Sequence, residues 1–146
     1  MAVPATGDTD RGEGCWADRR TAQAEALTGW LAERSGGDAL PVFVLGDLNA
    51  YPGERALHRL RAAGFHDLPA AFRTPEDRYT YIYRGVAGAL DHALGNTAAL
   101  SATADAAVWH INADEPPTAA GRGPWRSADH DPVVVDLHSM VRPSSH

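Results

Sequence analysis

Polar residues with the chemistry of a hydrolytic centre follow one apolar run of this chain and precede another. Gly46–Asn49 comes directly after Pro41–Leu45, and Ser127–Pro132 stands directly before Val133–Leu137. Carboxylate, amide and imidazole groups delivered to the ends of strands supply the acceptors and donors that hold a divalent cation, a water and a phosphate together. This combination indicates metal-assisted hydrolysis of a phosphodiester.

Asp47 and Asn49 taken alone have a second interpretation, because Asp and Asn after a strand commonly close a turn by bonding their own backbone. Asp129, His130 and Asp131 are harder to assign to structure alone. Three ionisable residues in a row before a buried strand carry a desolvation cost unless something uses them. We therefore interpret both motifs as parts of one site, with Asp131 as either a metal ligand or a strand cap.

Asp91 lies within the apolar stretch Ala89–Leu94, which we predict to be a strand. A carboxylate in that setting is at least half buried and needs a partner, for which a histidine is the obvious candidate. His92 and His110 could reach the same cleft, although structural roles are favoured for both. Four aromatic residues are expected to pack in the core or on a sheet face: Trp30, Tyr79, Tyr81 and Tyr83.

Two helices and a strand are predicted in the first half of the chain. Apolar residues at helical spacing predict a helix from Ala17 to about Ser35, and Pro52 with Gly53 opens a second helix that ends near Ala63. Between them, the short apolar run Pro41–Leu45 is typical of a strand buried on both faces. The Gly-rich residues 1–16 are expected to form a loop.

Strands dominate the predictions for the second half. The alternating residues Tyr79–Arg84, the turn Gly85–Gly88 and the run Ala89–Leu94 predict an antiparallel hairpin. Ala104–Ile111 and Pro132–Leu137 are further candidate strands, joined by a loop rich in Pro and Gly. Residues 139–146 are expected to form a disordered tail.

Length and composition predict a single soluble domain. The chain has 146 residues, of which 44% are hydrophobic and 22% charged, and no stretch approaches the roughly 20 apolar residues of a membrane span. All 13 cationic residues are Arg, and the net charge is −6, so tight non-specific binding of nucleic acid is disfavoured. Cys15 is the only cysteine, and the sequence shows no secretion signal.

Four motifs in this order resemble those of the endonuclease/exonuclease/phosphatase superfamily, especially its secreted bacterial nuclease branch. They are Gly46–Ala50, Leu90–Leu94, Trp109–Pro116 and Ser127–Pro132. The resemblance implies half of a four-layer α/β/β/α sandwich, with a mixed, largely antiparallel sheet and helices on one face, over residues 1–138. It also implies that an N-terminal half is missing, and an extracellular or periplasmic location. A half sandwich exposes an apolar sheet face, so we expect the chain to self-associate, to aggregate or to need a complementary half.

The resemblance further implies a role for each site residue. Asp47 would orient the attacking water and bind metal, and Asn49 would hold that water or a phosphate oxygen. Asp129 would ligate Mg2+, with Mn2+ or Ca2+ as alternatives. His130 would donate to a non-bridging phosphate oxygen, and Asp91 would fix its tautomer and keep it protonated.

We therefore expect a metal-dependent nuclease that acts on DNA. Two alternatives stay open. The chain could act as a phosphatase on another phosphoester, or it could be an inactive remnant that only binds.

Overall fold

The computed structural model describes residues 9–34, 40–121 and 123–138. In chain order the elements are α1 (Ala17–Arg34), β1 (Phe43–Asp47), α2 (Arg55–Ala62), β2 (His66–Asp67), α3 (Leu68–Phe72), β3 (Tyr81–Tyr83), β4 (Val86–Gly88), β5 (Asp91–Gly95), α4 (Thr97–Ala102), β6 (Thr103–Val108) and β7 (Val133–Leu137). Short 3-10 turns at Pro75–Asp77 and Pro117–Ala119 complete the regular structure.

All strand pairs of the described residues are antiparallel, and they form three hydrogen-bonded units. β5 lies between β1 and β2, β3 pairs with β4, and β6 pairs with β7. The register of β1 on β5 sets Asp47 opposite Asp91, at the end of β1 and the start of β5. Two residues that are 44 positions apart in sequence therefore become cross-strand neighbours.

Two hydrophobic clusters lie on the two faces of β5, because neighbouring side chains of a strand point to opposite faces. Leu94 belongs to the cluster that α1 and α2 cover, with fully buried Leu57 and nearly buried Leu60. Ala93 belongs to the second cluster, where Ala106 of β6 and Leu68 of α3 meet it. Since Asp91 is two residues before Ala93, its side chain lies on the second face.

The predicted α/β class and the antiparallel strands are confirmed. The first helix ends at Arg34 within the described residues, and the second runs over Arg55–Ala62 with an apolar face against the sheet. The last two predicted strands are present as Thr103–Val108 and Val133–Leu137. Hydrophobic spacing sufficed for these elements because each is long enough to show the period of its own secondary structure.

The predicted hairpin of residues 79–94 is wrong in its pairing. β3 and β4 join through only two residues, Arg84 and Gly85, with φ values of 52° and 81°. A two-residue hairpin turn requires positive φ at both central positions, and Arg gives no signal for that conformation. Because β4 takes the place expected for β5, β5 pairs with β1 and β2 instead.

The prediction that the first strand is buried on both faces is also wrong. Leu45 is 61% exposed, and β1 is hydrogen-bonded to a neighbouring strand on one side only. Trp30, expected to pack in the core or on a sheet face, is 53% exposed on α1, and Tyr83 lies on a sheet face at 50% exposure. Sequence periodicity predicts which residues share a face, but it does not show which faces are covered.

Short elements were not predicted. β2, α3 and α4 have two to six residues each, too few to show a period in sequence. The predicted tail of residues 139–146, and residues 1–8 of the predicted loop, lie outside the described residues. No helix in the described ranges is long and apolar enough to cross a membrane.

Candidate active site

Asp47, Asp91 and His130 converge at the end of β1. One potential ligand atom from each lies within 4.8 Å of the others. Asp47 is exposed, whereas Asp91 and His130 are half-buried. The sequence motifs after β1, at β5 and before β7 therefore deliver their polar groups to one place.

The pair His130 and Asp91 is tightly coupled. His130 Nδ1 lies 2.6 Å from Asp91 Oδ2, a distance typical of a charge-assisted hydrogen bond. Since a carboxylate accepts, Nδ1 carries the proton and Nε2 is the nitrogen left for a substrate. The ring of Tyr81 packs against the imidazole, with centroids 4.6 Å apart. The geometry is that of a histidine held in one tautomer and one orientation.

Asp47 and Asn49 form the turn that we considered as the alternative. Asn49 N donates to Asp47 Oδ1 at 2.7 Å, and Asn49 Nδ2 donates to Asp47 Oδ2 at 3.0 Å. Asn49 has a φ of 48°, which Asn tolerates better than most residues. The turn is compatible with a role in catalysis, because it fixes an exposed carboxylate beside an exposed amide at the end of the strand.

Asp129 is exposed, and it belongs to neither group of potential metal ligands found among the described residues. It directly precedes His130 in the chain, but its carboxylate is not among the ligand atoms that cluster at Asp47, Asp91 and His130. Its role as a metal ligand stays a prediction.

Thr80 anchors the start of β5, and the sequence analysis missed it. Its fully buried hydroxyl accepts hydrogen bonds from Leu90 N at 3.0 Å and from Asp91 N at 3.1 Å. Its carbonyl accepts from Asp131 N at 2.8 Å. A single buried Thr thus ties the backbone of the carboxylate to the backbone that follows His130.

Asp131 caps the loop after β6. It is 2% exposed, and its Oδ1 accepts hydrogen bonds from the backbone N–H groups of three consecutive residues, Ile111, Asn112 and Ala113. Its Oδ2 accepts from His110 Nδ1 at 2.9 Å. Burial alone raises the pKa of Asp131, but the hydrogen bonds that it accepts outweigh burial and hold the pKa below its usual value. These contacts are those of a cap, and Asp131 also belongs, with His110 and Asp114, to the second group of potential metal ligands among the described residues.

Asn112 fixes the backbone of His130, and its role was also missed. Asn112 Nδ2 donates to His130 O at 2.8 Å, while its Oδ1 accepts from Ser127 N at 3.0 Å. Asn112 lies in the string Trp109–Pro116, which supports the family resemblance but does not show which backbone groups the amide bonds. Buried amides that satisfy loop backbone in this way rigidify the residues they hold.

Tyr79 packs against the loop that follows β6. Its ring stacks on His110 at a centroid distance of 4.1 Å, and its hydroxyl donates to Asp114 Oδ2 at 2.6 Å. The hydrogen bond to Asp114, with burial second, raises the pKa of Tyr79 to about 12. Both His110 and buried His92, whose Nε2 donates to Ala50 O at 2.8 Å, make structural contacts.

A cleft of about 570 Å³ opens beside Asp91. Arg61 and Arg78 supply cationic groups to its wall, and Tyr51 and Tyr79 supply aromatic ones. The volume lies within the range of small-molecule sites. The cleft adjoins the candidate centre on the side of β5.

The donor atoms of the centre fit a hard divalent cation. Asp47 and Asp91 offer carboxylate oxygens, which Mg2+ and Ca2+ prefer as ligands. His130 Nδ1 is engaged with Asp91, which leaves Nε2 as the nitrogen that can face a substrate or an ion. The arrangement can therefore hold an ion, orient a water and donate a proton within one site.

Comparison with known proteins identifies a family and a similar fold. A sequence model described as the Endonuclease/Exonuclease/phosphatase family matches residues 3–146. The fold is similar to that of the 3′ phosphatase NExo from Neisseria bound to a product DNA hairpin, with a TM-score of 0.61 and 19% identity. That similarity covers 84% of this chain and 54% of the Neisseria chain, so this chain spans about half of its length. No curated protein matches.

Proposed function

Since the chain belongs to the endonuclease/exonuclease/phosphatase family, we propose that it carries a divalent-metal-dependent centre for phosphodiester hydrolysis, with DNA as substrate. The observation that carries the proposal is the convergence of Asp47, Asp91 and His130 within 4.8 Å. Carboxylates with a fixed imidazole are the groups that this hydrolysis requires: one to orient water and one to donate a proton toward the phosphate.

The residues have separate roles in this proposal. Asp47 accepts a hydrogen bond from the attacking water and takes its proton, and Asn49 holds that water or a phosphate oxygen. The doubly protonated imidazole of His130 donates from Nε2 to a non-bridging oxygen, while Asp91 accepts from its Nδ1–H and stabilises the positive charge. Pre-set donors of this kind cost no reorganisation as charge develops on the phosphate.

Asp47, Asp91 and, from the sequence, Asp129 would hold the cation. Mg2+ is the first candidate, with Mn2+ and Ca2+ as alternatives. When bound, the ion neutralises charge on the phosphate and on the leaving oxygen. The net charge of −6 supports an ion at the site, because a phosphodiester must approach a chain with a surplus of carboxylates.

The architecture included in this proposal is half of a four-layer α/β/β/α sandwich over residues 1–138. Two observations support it. Helices α1 and α2 cover one face of β1 and β5, and residues of β6 and β7 pack with Ala93 on the other face, where Leu45 stays exposed. Further strands beside β6 and β7 would extend this second layer over Leu45.

A phosphatase is the second candidate function. The Neisseria protein of similar fold is a 3′ phosphatase, and a centre that hydrolyses a phosphodiester can also act on a terminal phosphate, because both need the same donors around phosphorus. The remaining alternative is an inactive chain that only binds, since this chain spans about half of the Neisseria protein.

The decisive experiment compares plasmid nicking by wild type and His130→Ala, with Mg2+ and with chelator. Removal of one such donor lowers the rate roughly 10²–10³-fold. His58→Ala is the matched control, because His58 is exposed and bonds only the carbonyl of Gly53. A 3′-phosphorylated oligonucleotide assayed in parallel separates phosphatase from nuclease. Identical background in every lane would leave only the binding alternative.

A further inference from the structure

A row of stacked groups leads from the candidate active site to the tip of the β3–β4 hairpin. The ring of Tyr81 lies against His130 at 4.6 Å, and the ring of Tyr83 follows at 6.4 Å from Tyr81 with 19° between the planes. Arg84 Cζ lies 5.3 Å from the centroid of Tyr83. Tyr81 and Tyr83 share one face of the strand because side chains repeat every two residues.

The outer part of this row is open to solvent. Tyr83 is 50% exposed, and Val86 across the turn is 71% exposed. Arg84 is in none of the ion pairs formed by the described residues, so its charge is available to a ligand. Arg84 also holds a φ of 52°, where Asn or Gly would be favoured. Turn geometry alone therefore does not account for an Arg at this position.

We propose that Tyr83 and Arg84 form a nucleotide-binding surface next to the scissile phosphate, with a base stacking near Tyr83 and the guanidinium contacting a backbone phosphate. The inference rests on the proposed function and deepens it by selecting nucleic acid among phosphoesters. Aromatic faces bind any base, and a local cation offsets repulsion by a chain of net charge −6. Continuity with His130 sets the nucleotide adjacent to the reacting phosphorus.

The test uses the double variant Tyr83→Leu with Arg84→Asn. Asn-Gly is favoured in two-residue hairpin turns, so the fold is kept while the aromatic face and the charge are removed. We expect kcat/KM on a single-stranded oligonucleotide to fall about 10-fold or more, chiefly through KM, as loss of one stacked base predicts. Hydrolysis of bis-p-nitrophenyl phosphate, which is too small to reach the tip, should change less than about 2-fold.

The matched control is Trp30→Leu with Arg34→Ala. This pair also combines a half-exposed aromatic ring with an arginine, at 5.0 Å, but lies on α1. It should leave both substrates unaffected. Tyr83→Trp keeps a stacking face and should retain oligonucleotide turnover. An unchanged kcat/KM on the oligonucleotide, or an equal loss on both substrates, would overturn the proposal.

Failure of the proposed function can be separated from failure of this inference. If wild type hydrolyses neither substrate with Mg2+, the catalytic proposal fails, and the surface is tested by fluorescence anisotropy of a labelled oligonucleotide in chelator. The double variant should then bind with a Kd about 10-fold higher than wild type or the α1 control. Equal Kd values for all three would reject the nucleotide-binding surface.

Discussion

At the scale of single residues, the site depends on one short contact. Asp91 Oδ2 and His130 Nδ1 are 2.6 Å apart. The contact selects which imidazole nitrogen faces a substrate. A substitution that keeps the shape of Asp91 but replaces one of its acceptor oxygens with a donor should therefore lower catalytic activity far more than it lowers stability.

We predict that Asp91→Asn lowers kcat on the order of 10²–10⁴-fold, because a neutral amide does not stabilise the doubly protonated imidazole that donates from Nε2. KM should change little, since neither atom of the contact is required for binding the rest of a substrate. The measurement is steady-state hydrolysis alongside thermal unfolding. A variant that stays folded and keeps more than a tenth of wild-type kcat would contradict the role of Asp91.

A second residue prediction concerns pH. The bond to Asp114 raises the pKa of Tyr79 to about 12 in the folded chain, against about 10 when unfolded. A raised pKa gives stability that is fully present below pH 10 and lost as the pH rises toward 12. Tyr79→Phe should therefore lower the free energy of unfolding by about 1 kcal/mol at pH 8, since partial exposure screens the bond.

The control for Tyr79 is the same comparison at higher pH. Phe does not titrate, so the difference between wild type and variant should shrink above pH 10. Urea unfolding at pH 8 and near pH 11 measures both values. A difference that stays constant across this range would show that the hydroxyl of Tyr79 does not titrate as the Asp114 contact requires.

The residues that carry charge were predictable, and the residues that hold them were not. Asp47, Asp91 and His130 could be predicted because an ionisable group beside an apolar strand is costly to bury unless a partner or a ligand compensates its charge. Thr80 and Asn112 act through backbone groups 10 to 18 positions away. No local pattern identifies a hydroxyl or amide whose partner is set by tertiary contact.

At the scale of elements, long helices were predictable and strand pairing was not. The 18 residues of α1 contain several turns of apolar spacing, whereas the pairing of β5 depends on a turn conformation at Arg84 that Arg does not signal. Register decides which face every side chain takes. The sequence therefore indicates that Asp47 and Asp91 lie close together, but it does not show that they face each other across neighbouring strands.

The junction of β5 and α4 gives a prediction at this scale. A Cβ added at Gly95 would lie 2.8 Å from Ala99 Cβ and 3.1 Å from Leu68 Cδ2, inside the second cluster. Gly95→Ala should lower the free energy of unfolding by about 1–3 kcal/mol through overpacking. Denaturant titration with intrinsic fluorescence measures the change.

A matched substitution in α1 should have the opposite sign. Gly29 lies in the helix interior with nothing within 4 Å of an added Cβ, so Gly29→Ala should raise the free energy of unfolding by roughly 0.5–1 kcal/mol. If both variants shift stability in the same direction, close packing at Gly95 is not the cause.

At the scale of the whole molecule, the two faces of the β1–β5 pair differ in cover. Helices α1 and α2 bury the face of Leu94, whereas Leu45, on the face of Ala93 and Asp91, is 61% exposed. The chain also spans about half of the Neisseria protein that shares its fold. Residues of α3, β6 and β7 pack with Ala93 on that face, so Leu45 marks the part of it that stays uncovered, beside the candidate active site.

We predict that the chain self-associates through this face, because contact removes Leu45 from water at a gain of about 25 cal/mol per Å2 of apolar area. Leu45→Gln should shift light-scattering mass toward monomer over a concentration series. Val86→Gln, a change at a residue that is 71% exposed on the hairpin, should not. A wild-type chain that stays monomeric at every concentration would show that Leu45 tolerates water, and association of both variants equal to wild type would place the contact elsewhere.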